Sequence, residues 1–362
     1  MLMRALQIFA AFSLLSVAWL VQAASKETIT IIDMENRRVE VPRGPSRIIC
    51  LGPGSLRLIC YLGMRDKVIG VENFEKTRPV GRTYLIAHPA LAKKPPIGPG
   101  GPASINKEPD LEAVLKVNPE LIFVANMDAP KADGMQKKLG IPVVILSYGG
   151  FATFDEIVFD SLRLAGKILL ADKRAEEIIA YIENARRDLL NRSKKYDERG
   201  KLRVYIGAIG FRGTQGIEST DASYFPLDWI RAKNLAKEVA PKGHLFIDKE
   251  KLLSWDPDLI FLDGGGLNLV RQDYQKKPEF YSNLKAFRDK RVFILYPYNW
   301  YVTNIDTAVV DAYVAGKILH PKFFADIEPE KKADEIYTFF LRKPVYKQME
   351  KEFGEIGRGP RF

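Results

Sequence analysis

The sequence contains few of the residues that build disulfide, metal and catalytic sites. Its 362 residues include two cysteines and three histidines. Two cysteines cannot supply a disulfide framework, and three isolated histidines cannot readily form a histidine-rich metal site. The Gly-x-Ser-x-Gly pattern of a strained nucleophile turn is also missing, and no carboxylate pair lies in a recognisable catalytic frame. We therefore expect neither a metal site built by the protein nor an enzyme.

Long hydrophobic runs are also missing, except at the N-terminus. Residues 6–21 are almost wholly apolar, Arg4 is the only charged residue in the first 23, and Ala23 ends a possible cleavage pattern. These features predict a secretory signal peptide over residues 1–23, cleaved near Ala23. An uncleaved membrane anchor is the alternative. A cleaved signal predicts a protein of the periplasm.

The charge of the chain is unbalanced toward the basic side. It has 55 Lys and Arg residues against 45 Asp and Glu residues, a formal net charge of +10, and removal of Arg4 with the signal peptide leaves +9. A basic excess suits nucleic acids, membrane surfaces and anionic ligands alike. Export argues against nucleic acid, so we expect a small anionic ligand.

Apolar strands alternate with helical segments along the mature chain. A hydrophobic content of 46% and an aromatic content of 11% exclude disorder. Strands are predicted at residues 47–51, 68–71, 121–125 and 143–146, and in a second group at residues 203–209, 259–262 and 292–295. Helices are predicted between them, including residues 111–117 and 227–239, whereas residues 72–109 are rich in Pro and Gly and are predicted to be a long irregular loop. This order indicates an α/β fold with parallel sheets covered on both faces.

The two groups of strands contain matching segments. Residues 111–123 read LEAVLKVNPELIF and residues 249–261 read KEKLLSWDPDLIF. An internal duplication explains the match and predicts two α/β lobes, at residues 27–153 and 199–362, the second ending in a helical tail. Residues 154–198 are predicted to be a helical linker region that contains one long helix joining the lobes. An ordinary surface helix of one lobe is the alternative.

Export, two lobes, a linking helix and the paired Glu-to-Pro segments together resemble the periplasmic substrate-binding proteins of ABC importers for iron siderophores, haem and cobalamin. The resemblance covers about residues 46–325 and includes RIICLGP at residues 47–53. It implies two Rossmann-like lobes with central parallel sheets joined by one long α-helix. It also implies capture of an iron chelate, or a related metal complex, in the cleft and delivery to an ABC permease dimer with its ATPase. We expect a monomer without a covalently bound cofactor.

Other functions stay open at this point. Some relatives of this fold carry molybdate or tungstate, and an exported hydrolase or chelatase is a remote alternative. The loop at residues 72–109 is longer than in the better-known subgroups of the family. The cargo is therefore either a metal chelate, such as an iron siderophore, or a metal oxyanion.

The resemblance also implies a role for two glutamates. Glu112 and Glu250 occupy equivalent positions of the duplicated segments, and in the family glutamates at these positions lie on the outer tips of the lobes and meet arginines of the permease. One carboxylate on each lobe would provide a two-point, charge-complementary dock. The alternative is that each carboxylate only stabilises the first turn of its helix.

Ligand contacts are expected from the loops that follow the strands, because parallel sheets have their binding crevices at the carboxyl ends of the strands. Gly54 and Ser55 begin a helix, predicted to be capped by Ser55, whose N–H groups suit an anion. Arg212 can clamp an anionic group, and Trp300 and Tyr301 can stack on a planar ligand. A solvated Arg212 and aromatic residues that only plug the lobe edge are the alternatives. The predicted ligand-binding residues are Pro53, Gly54, Ser55, Arg82, Tyr84, Asn126, Tyr148, Arg212, Gly265, Tyr298, Asn299, Trp300 and Tyr301.

Overall fold

The computed structural model describes residues 27–77, 80–150, 154–194 and 201–362. The predicted signal peptide at residues 1–23 lies outside these residues, as does part of the predicted linker region. Within the described chain, no helix combines the length and the apolar character needed to cross a membrane.

The first lobe is built on a four-stranded parallel sheet that follows a two-stranded hairpin. The strands are β1 (Thr28–Ile32) and β2 (Arg38–Pro42) in the hairpin, then β3 (Ile48–Leu51), β4 (Val68–Gly70), β5 (Leu121–Ala125) and β6 (Val143–Leu146) in the sheet. The sheet order is β4-β3-β5-β6, with every pairing parallel. Successive residues of β5 alternate between two core clusters, Phe123 in one and Ile122 and Val124 in the other. Both faces of the sheet are therefore packed, which is why its strands are apolar throughout.

Short helices surround this sheet. They are α1 (Ser55–Tyr61), α2 (Asn73–Thr77), α3 (Thr83–Ala87), α4 (Leu111–Val117) and α5 (Ala129–Leu139). The prediction of one irregular loop over residues 72–109 is wrong, since α2, α3 and 3₁₀ turns at Pro89–Lys93 and Pro102–Ser104 lie there. The predicted cap of α1 is also wrong. Gly54 is at the N-cap, with a φ of 83°, and Ser55 is already inside the helix.

A helical segment links the two sheets. α6 (Ile157–Leu169) ends where Leu170 adopts a left-handed backbone, with a φ of 61°, and α7 (Asp172–Ser193) begins two residues later. α7 has 22 residues and is therefore roughly 33 Å long. Its buried face repeats at helical spacing, with Ile178 and Ile182 one turn apart. One long helix thus joins the two lobes.

The second lobe repeats the sheet order of the first. Its strands are β7 (Arg203–Gly207), β8 (Ser219–Asp221), β9 (Lys233–Asn234), β10 (His244–Phe246), β11 (Leu259–Asp263) and β12 (Val292–Leu295). The parallel sheet has the order β9-β7-β11-β12, which places these strands where β4, β3, β5 and β6 lie in the first lobe. β8 and β10 pair separately as an antiparallel ribbon. The same order in both lobes agrees with an internal duplication.

One predicted helix of this lobe is wrong. Residues 227–239 contain the end of α8 (Phe225–Asp228), then β9 and a 3₁₀ turn at Leu235–Glu238. The chain bends at Arg231, whose φ is 53°, and the Asn234 side chain accepts a hydrogen bond from the backbone N–H two residues later. A left-handed residue and a local cap therefore interrupt a segment whose apolar spacing favours a helix.

The remaining helices close the second lobe and reach back to the first. They are α9 (Lys249–Trp255), α10 (Leu267–Lys276), α11 (Pro278–Ser282), α12 (Lys285–Arg288), α13 (Ile305–Leu319), α14 (Pro329–Leu341) and α15 (Tyr346–Phe353). α13 packs against α7, and α14 packs against α13 and against α1 and α3 of the first lobe. Gly357 N donates to Ile294 O and Ile294 N donates to Arg358 O, so the tail covers the edge of β12. The predicted two-lobed α/β fold is confirmed.

Candidate ligand-binding site

A cavity of about 900 Å³ lies between the two lobes. The first lobe contributes the loops after β3 and β5, together with α2 and the turn at Pro102–Ser104, and the second contributes the loops after β7 and β12. The lining residues are Pro53, Phe74, Pro102, Ala103, Ile105, Asn126, Gly210, Phe211, Arg212, Gly213, Thr214, Asn299, Trp300, Tyr301 and Val302. The cavity is therefore at the carboxyl ends of the strands, where parallel sheets bind ligands.

Four lining residues have an unusual backbone for residues other than glycine. Asn126, Arg212, Tyr301 and Val302 have φ values of 59°, 52°, 56° and 68°. A left-handed backbone is unfavourable for L-residues, most of all for a β-branched one such as Val302, and costs of order 1–3 kcal/mol. Such residues concentrate at ligand sites, where the surrounding structure holds them in place.

Aromatic rings form much of the cavity wall. The ring of Tyr301 packs on that of Phe74, with centroids 4.6 Å apart, and this contact joins the two lobes. The indole of Trp300 lies between Gly81 and Gly265. If either glycine carried a side chain, its Cβ would lie 3.2 Å from the indole at Gly81 and 2.8 Å from it at Gly265. Both lobes thus approach the indole so closely that a side chain at either position would press on the ring.

Arg212 supplies positive charge at this wall. The residue is exposed, and its guanidinium lies 5.5 Å from the centre of the Phe211 ring. Phe211 in turn stacks on His244, with centroids 4.1 Å apart and ring planes within 5° of parallel. Among the lining residues of the described chain, Arg212 is the only one with a charged side chain. An anionic ligand in the cavity can therefore bind the Arg212 guanidinium, which packs on the Phe211 ring.

The hydrogen bond of His244 shows which of its ring nitrogens carries a proton. The Ser219 hydroxyl donates to Ile209 O at 2.5 Å, so in its 2.7 Å contact with His244 Nε2 the serine oxygen accepts and the imidazole donates. Burial lowers the pKa of His244. The ring is therefore neutral at neutral pH and presents an uncharged face to Phe211.

A buried carboxyl group lies behind Tyr301. Glu72 Oε2 accepts hydrogen bonds from the Tyr301 hydroxyl at 3.0 Å and from Gly52 N at 3.2 Å, while the Tyr301 oxygen accepts one from Gly101 N at 3.1 Å. Burial raises the pKa of Glu72 to about 7, and the charge of Glu75 adds to the shift. Glu72 thus changes its ionisation near neutral pH while it holds a cavity residue of the second lobe against the first lobe.

Six of the predicted ligand-binding residues line the cavity, namely Pro53, Asn126, Arg212, Asn299, Trp300 and Tyr301. The amide of Asn299 also donates to Gly210 O at 3.1 Å, which ties together the two cavity loops of the second lobe. These six come from loops after parallel strands. Their contact with a ligand stays a prediction.

Arg82 and Tyr84 lie in the core of the first lobe, which corrects their assignment to the cavity. Both side chains are fully buried, and both donate to Glu75 Oε2 at 2.7 Å, from Arg82 Nη1 and from the Tyr84 hydroxyl. A buried carboxylate requires such partners. The prediction assumed an exposed irregular loop, whereas α2 and α3 fold this segment inward.

The other predicted residues lie behind the lining of the cavity. Ser55 and Tyr298 are buried, and the hydroxyl of Tyr148 donates to Gly54 O at 2.9 Å. A Cβ at Gly54 would stand 2.5 Å from the Tyr148 ring, and Gly265 lies against Trp300. These five residues therefore support the lining loops and do not belong to the lining, which corrects their assignment.

Several lining residues escaped prediction. Phe74, Ala103 and Ile105 come from the segment between β4 and α4, and Val302 follows the predicted aromatic run. The sequence feature that could have identified them is an apolar residue in a Pro- and Gly-rich segment. Ile105, which is 36% exposed, is an example. That signal does not distinguish a cavity wall from an ordinary surface.

Glu112 and Glu250 are exposed on matching helices of the two lobes. α4 is capped by Asp110 and α9 by Asp248, and each cap accepts a hydrogen bond from the backbone N–H three residues later. Both helices have seven residues and end at a left-handed residue. The two carboxylates therefore occupy equivalent positions in equivalent units.

The cavity wall combines apolar surface with a few polar groups. Its side chains are aromatic, aliphatic, amide, hydroxyl and guanidinium groups, which contact organic surfaces and anionic oxygens. In the part of the chain that the structure describes, no group of three or more His, Cys, Asp or Glu residues could hold a metal ion.

Sequence comparisons place the chain among transport proteins. Residues 48–298 match the family model described as periplasmic binding protein. The molybdate-binding protein MolA of Haemophilus influenzae is 23% identical, over 86% of this chain and 90% of that protein. The petrobactin-binding protein YclQ of Bacillus subtilis is 21% identical, over 77% of this chain and 84% of that protein.

Solved structures share the two-lobed fold. The structure of MolA bound to molybdate has a TM-score of 0.68 at 22% identity and covers 87% of this chain and 98% of that chain. A periplasmic solute-binding protein from Veillonella parvula has a TM-score of 0.69 at 20% identity and covers 90% of this chain and 97% of that chain. The likeness extends over nearly the whole of both chains.

Proposed function

The chain belongs to the periplasmic binding protein family, and on that premise we propose that it captures an anionic iron chelate, such as a siderophore complex, between its lobes and delivers it to an ABC permease. Proteins of this family work with the permease and ATPase of an ABC transporter. In this role the chain acts as a periplasmic monomer, exported by a signal peptide cleaved near Ala23. It binds its cargo without catalysing a reaction.

The composition of the cavity wall is the observation that supports this cargo. Phe74, Phe211, Trp300 and Tyr301 line a volume of about 900 Å³ together with Arg212. Aromatic faces bind planar organic groups, and a guanidinium binds carboxylate or catecholate oxygens. A metal chelate presents both kinds of surface at once, an organic shell and a negative charge.

A metal oxyanion is the second candidate cargo. Asn126 and Asn299 belong to the same wall as Arg212, and amide and guanidinium groups can donate to the oxygens of molybdate or tungstate. The relative MolA is named for molybdate. A tetrahedral oxyanion would fill only a small part of the cavity and leave most of the aromatic wall without a contact, so the chelate is favoured.

Binding measurements on purified protein separate these candidates. Calorimetry is run with a ferric tris-catecholate complex, haemin, cobalamin, molybdate and tungstate, and the metal content of protein isolated from its own host is measured by native mass spectrometry. Saturable one-to-one binding of the ferric complex, without molybdate binding, supports the chelate. One-to-one binding of molybdate or tungstate alone would replace it with the oxyanion, and turnover of an ester or phosphate substrate would contradict a pure binding role.

Delivery requires a dock on the permease, and Glu112 and Glu250 are the residues assigned to it. They are exposed, one on each lobe, at equivalent positions of α4 and α9. Two carboxylates on separate lobes can pair with cations on two permease subunits. Because their separation depends on the relative position of the lobes, such a dock distinguishes a loaded chain from an empty one.

A further inference from the structure

Arg57 of α1 crosses from the first lobe to a cavity-lining segment of the second. Its side chain is fully buried. Nη1 donates to Thr303 O at 3.0 Å, and Nη2 donates to Trp300 O at 3.1 Å and to Tyr301 O at 2.9 Å. One guanidinium therefore binds three main-chain carbonyls within residues 298–304, the segment between β12 and α13 that we call the cavity loop.

The cavity loop has a backbone that requires support. Tyr301 and Val302 are consecutive left-handed residues, with φ values of 56° and 68°, and both line the cavity. Support from inside the loop comes from Asn304, whose amide donates to Tyr298 O at 2.9 Å and to Trp300 O at 3.0 Å. Support from outside comes from Arg57, which belongs to the other lobe.

Arginine suits this position better than any other residue. Its planar guanidinium carries five N–H donors in a fixed fork, so one side chain can reach several carbonyls, and it stays charged when buried. Neighbouring rings hold the fork in place, since its centre lies 5.2 Å from the ring centroid of Tyr84 and 6.0 Å from that of Tyr148. A lysine ammonium is a single point and cannot span the three carbonyls.

We propose that Arg57 is a positioning residue for ligand binding, which holds the cavity loop in its cavity-lining shape only while the two lobes are in contact. This inference rests on the proposed binding function, because the shape of the loop matters to affinity only if the loop contacts the ligand. Rotation of the lobes by a few degrees lengthens the hydrogen bonds from the guanidinium to the loop and loosens the strained pair of residues. The wall formed by Trp300 and Tyr301 then changes, so that ligand release is coupled to lobe rotation.

The same helix supplies a matched control. Tyr61 lies one turn after Arg57 on α1, is also fully buried, and also crosses to the second lobe. Its hydroxyl donates to Asp306 Oδ1 at 2.7 Å, and Asp306 is in α13, beyond the cavity loop. Tyr61→Phe therefore weakens the contact between the lobes and leaves the carbonyls of the cavity loop untouched.

Hydrogen exchange of backbone amides tests the positioning role without a ligand. In Arg57→Lys and in Arg57→Gln, the amides of residues 298–304 are expected to exchange about tenfold faster than in the wild type, whereas Tyr61→Phe changes them by less than about twofold. Urea unfolding of each variant identifies how much of any change is global. Equal exchange in the Arg57 variants and in Tyr61→Phe, after that correction, would overturn the inference, as would wild-type exchange in the folded Arg57 variants.

Ligand affinity provides the second test, with ferric tris-catecholate and molybdate as probes. Arg57 does not belong to the cavity lining, yet Arg57→Lys is expected to weaken binding of the probe that the wild type accepts by about tenfold, and Tyr61→Phe by less than about threefold. If the wild type binds a probe and Arg57→Lys binds it equally, the positioning role fails while the binding function stands. If the wild type binds neither probe, the proposed ligands fail while the exchange experiment still decides the role of Arg57.

Discussion

Arg212 lies over Phe211, which itself lies flat against the neutral ring of His244. Arg212→Ala is expected to weaken binding of an anionic chelate by about 1–3 kcal/mol, because charge-assisted hydrogen bonds to the ligand oxygens are lost. Calorimetry with ferric tris-catecholate measures the change. Arg38→Ala is the control, since Arg38 is exposed on β2, outside the cavity lining, and its loss changes the net charge equally. Equal affinities for the two variants would make Arg212 a solvated surface residue.

Glu72 connects the cavity to pH. Burial raises its pKa to about 7 from an ordinary value of 4.5. Between these pH values the folded chain keeps a proton that the unfolded chain has lost, so this group makes the free energy of unfolding fall as pH rises from about 4.5 to about 7. Glu72→Gln keeps an acceptor oxygen and removes the ionisation. The difference in free energy of unfolding, variant minus wild type, is therefore expected to increase by on the order of 1–3 kcal/mol from about pH 5 to about pH 8.5.

Urea unfolding of both proteins at the two pH values measures this effect. Asp263 also has a pKa that burial raises to about 7, but it ionises in both proteins and cancels in the difference between them. A difference between wild type and Glu72→Gln that is the same at both pH values would contradict the ionisation of Glu72 in this range.

At the residue scale, the sequence predicted which loops border the cavity better than it predicted which side chains point into it. Asn126, Asn299 and Trp300 were found because each follows a parallel strand, and that position alone brings a loop to the cavity. Arg82 and Tyr84 were misplaced because their burial depends on Glu75, a contact that no local pattern reveals.

At the scale of single elements, two glycines of α5 separate helix propensity from backbone strain. Gly134 lies inside α5, and Gly140 is its C-cap, with a φ of 67°. Apart from the adjoining residues and the backbone of α5 itself, no heavy atom of the described chain lies within 4 Å of a Cβ at either position. The two substitutions therefore differ mainly in backbone geometry. Gly134→Ala is expected to raise the free energy of unfolding by about 0.5–1 kcal/mol and Gly140→Ala to lower it by about 1 kcal/mol. Urea denaturation measures both changes, and equal signs would contradict this C-cap geometry.

Elements with strong end signals were predictable, and elements without them were not. α4 was predicted at its observed bounds because Asp110 caps it and Asn118 ends it. The helix predicted at residues 227–239 failed because apolar spacing takes no account of the left-handed Arg231. The hairpin of β8 and β10 was missed, since its three-residue strands are too short for a clear alternation.

At the scale of the whole molecule, the lobes are joined by more than α7. Asp306 of the second lobe accepts hydrogen bonds from Tyr61 at 2.7 Å and from Thr83 at 2.6 Å, both in the first lobe. The internal duplication predicted two similar lobes, but it could not predict this joint, because the joint has no counterpart within either repeat.

A joint with buried polar contacts favours small lobe rotations. Arg57 and Tyr61 both bond across it, and α14 packs against α1 and α3. We expect ferric tris-catecholate to change the radius of gyration, measured by small-angle X-ray scattering, by roughly a few tenths of an ångström, because closure amounts to a few degrees. A contraction of several ångströms on loading would instead indicate a wide hinge that breaks these contacts.

Docking involves the whole molecule because it uses one carboxylate from each lobe. Glu112→Ala combined with Glu250→Ala is expected to abolish uptake and to leave the dissociation constant for the cargo unchanged, since neither residue lines the cavity. Each single variant removes one of two contacts and should retain part of the uptake. Uptake of a radioiron-labelled ferric complex by cells that express the cognate permease measures the first effect, and calorimetry on the purified double variant measures the second.

A control for charge alone separates docking from a general electrostatic effect. Glu183→Ala combined with Glu352→Ala removes the same two negative charges from exposed positions on α7 and α15, away from the matched helices α4 and α9. The Glu183/Glu352 variant is expected to support normal uptake, because it keeps both docking glutamates. Its net charge equals that of the Glu112/Glu250 variant, so electrostatic steering is nearly the same in the two. Equal losses of uptake in both double variants would show that net charge causes the effect. Weaker cargo binding by the Glu112/Glu250 variant would show that these glutamates contribute to ligand binding. If only the Glu112/Glu250 variant loses uptake, the loss comes from the equivalent positions of these glutamates on α4 and α9, because the two double variants have the same net charge.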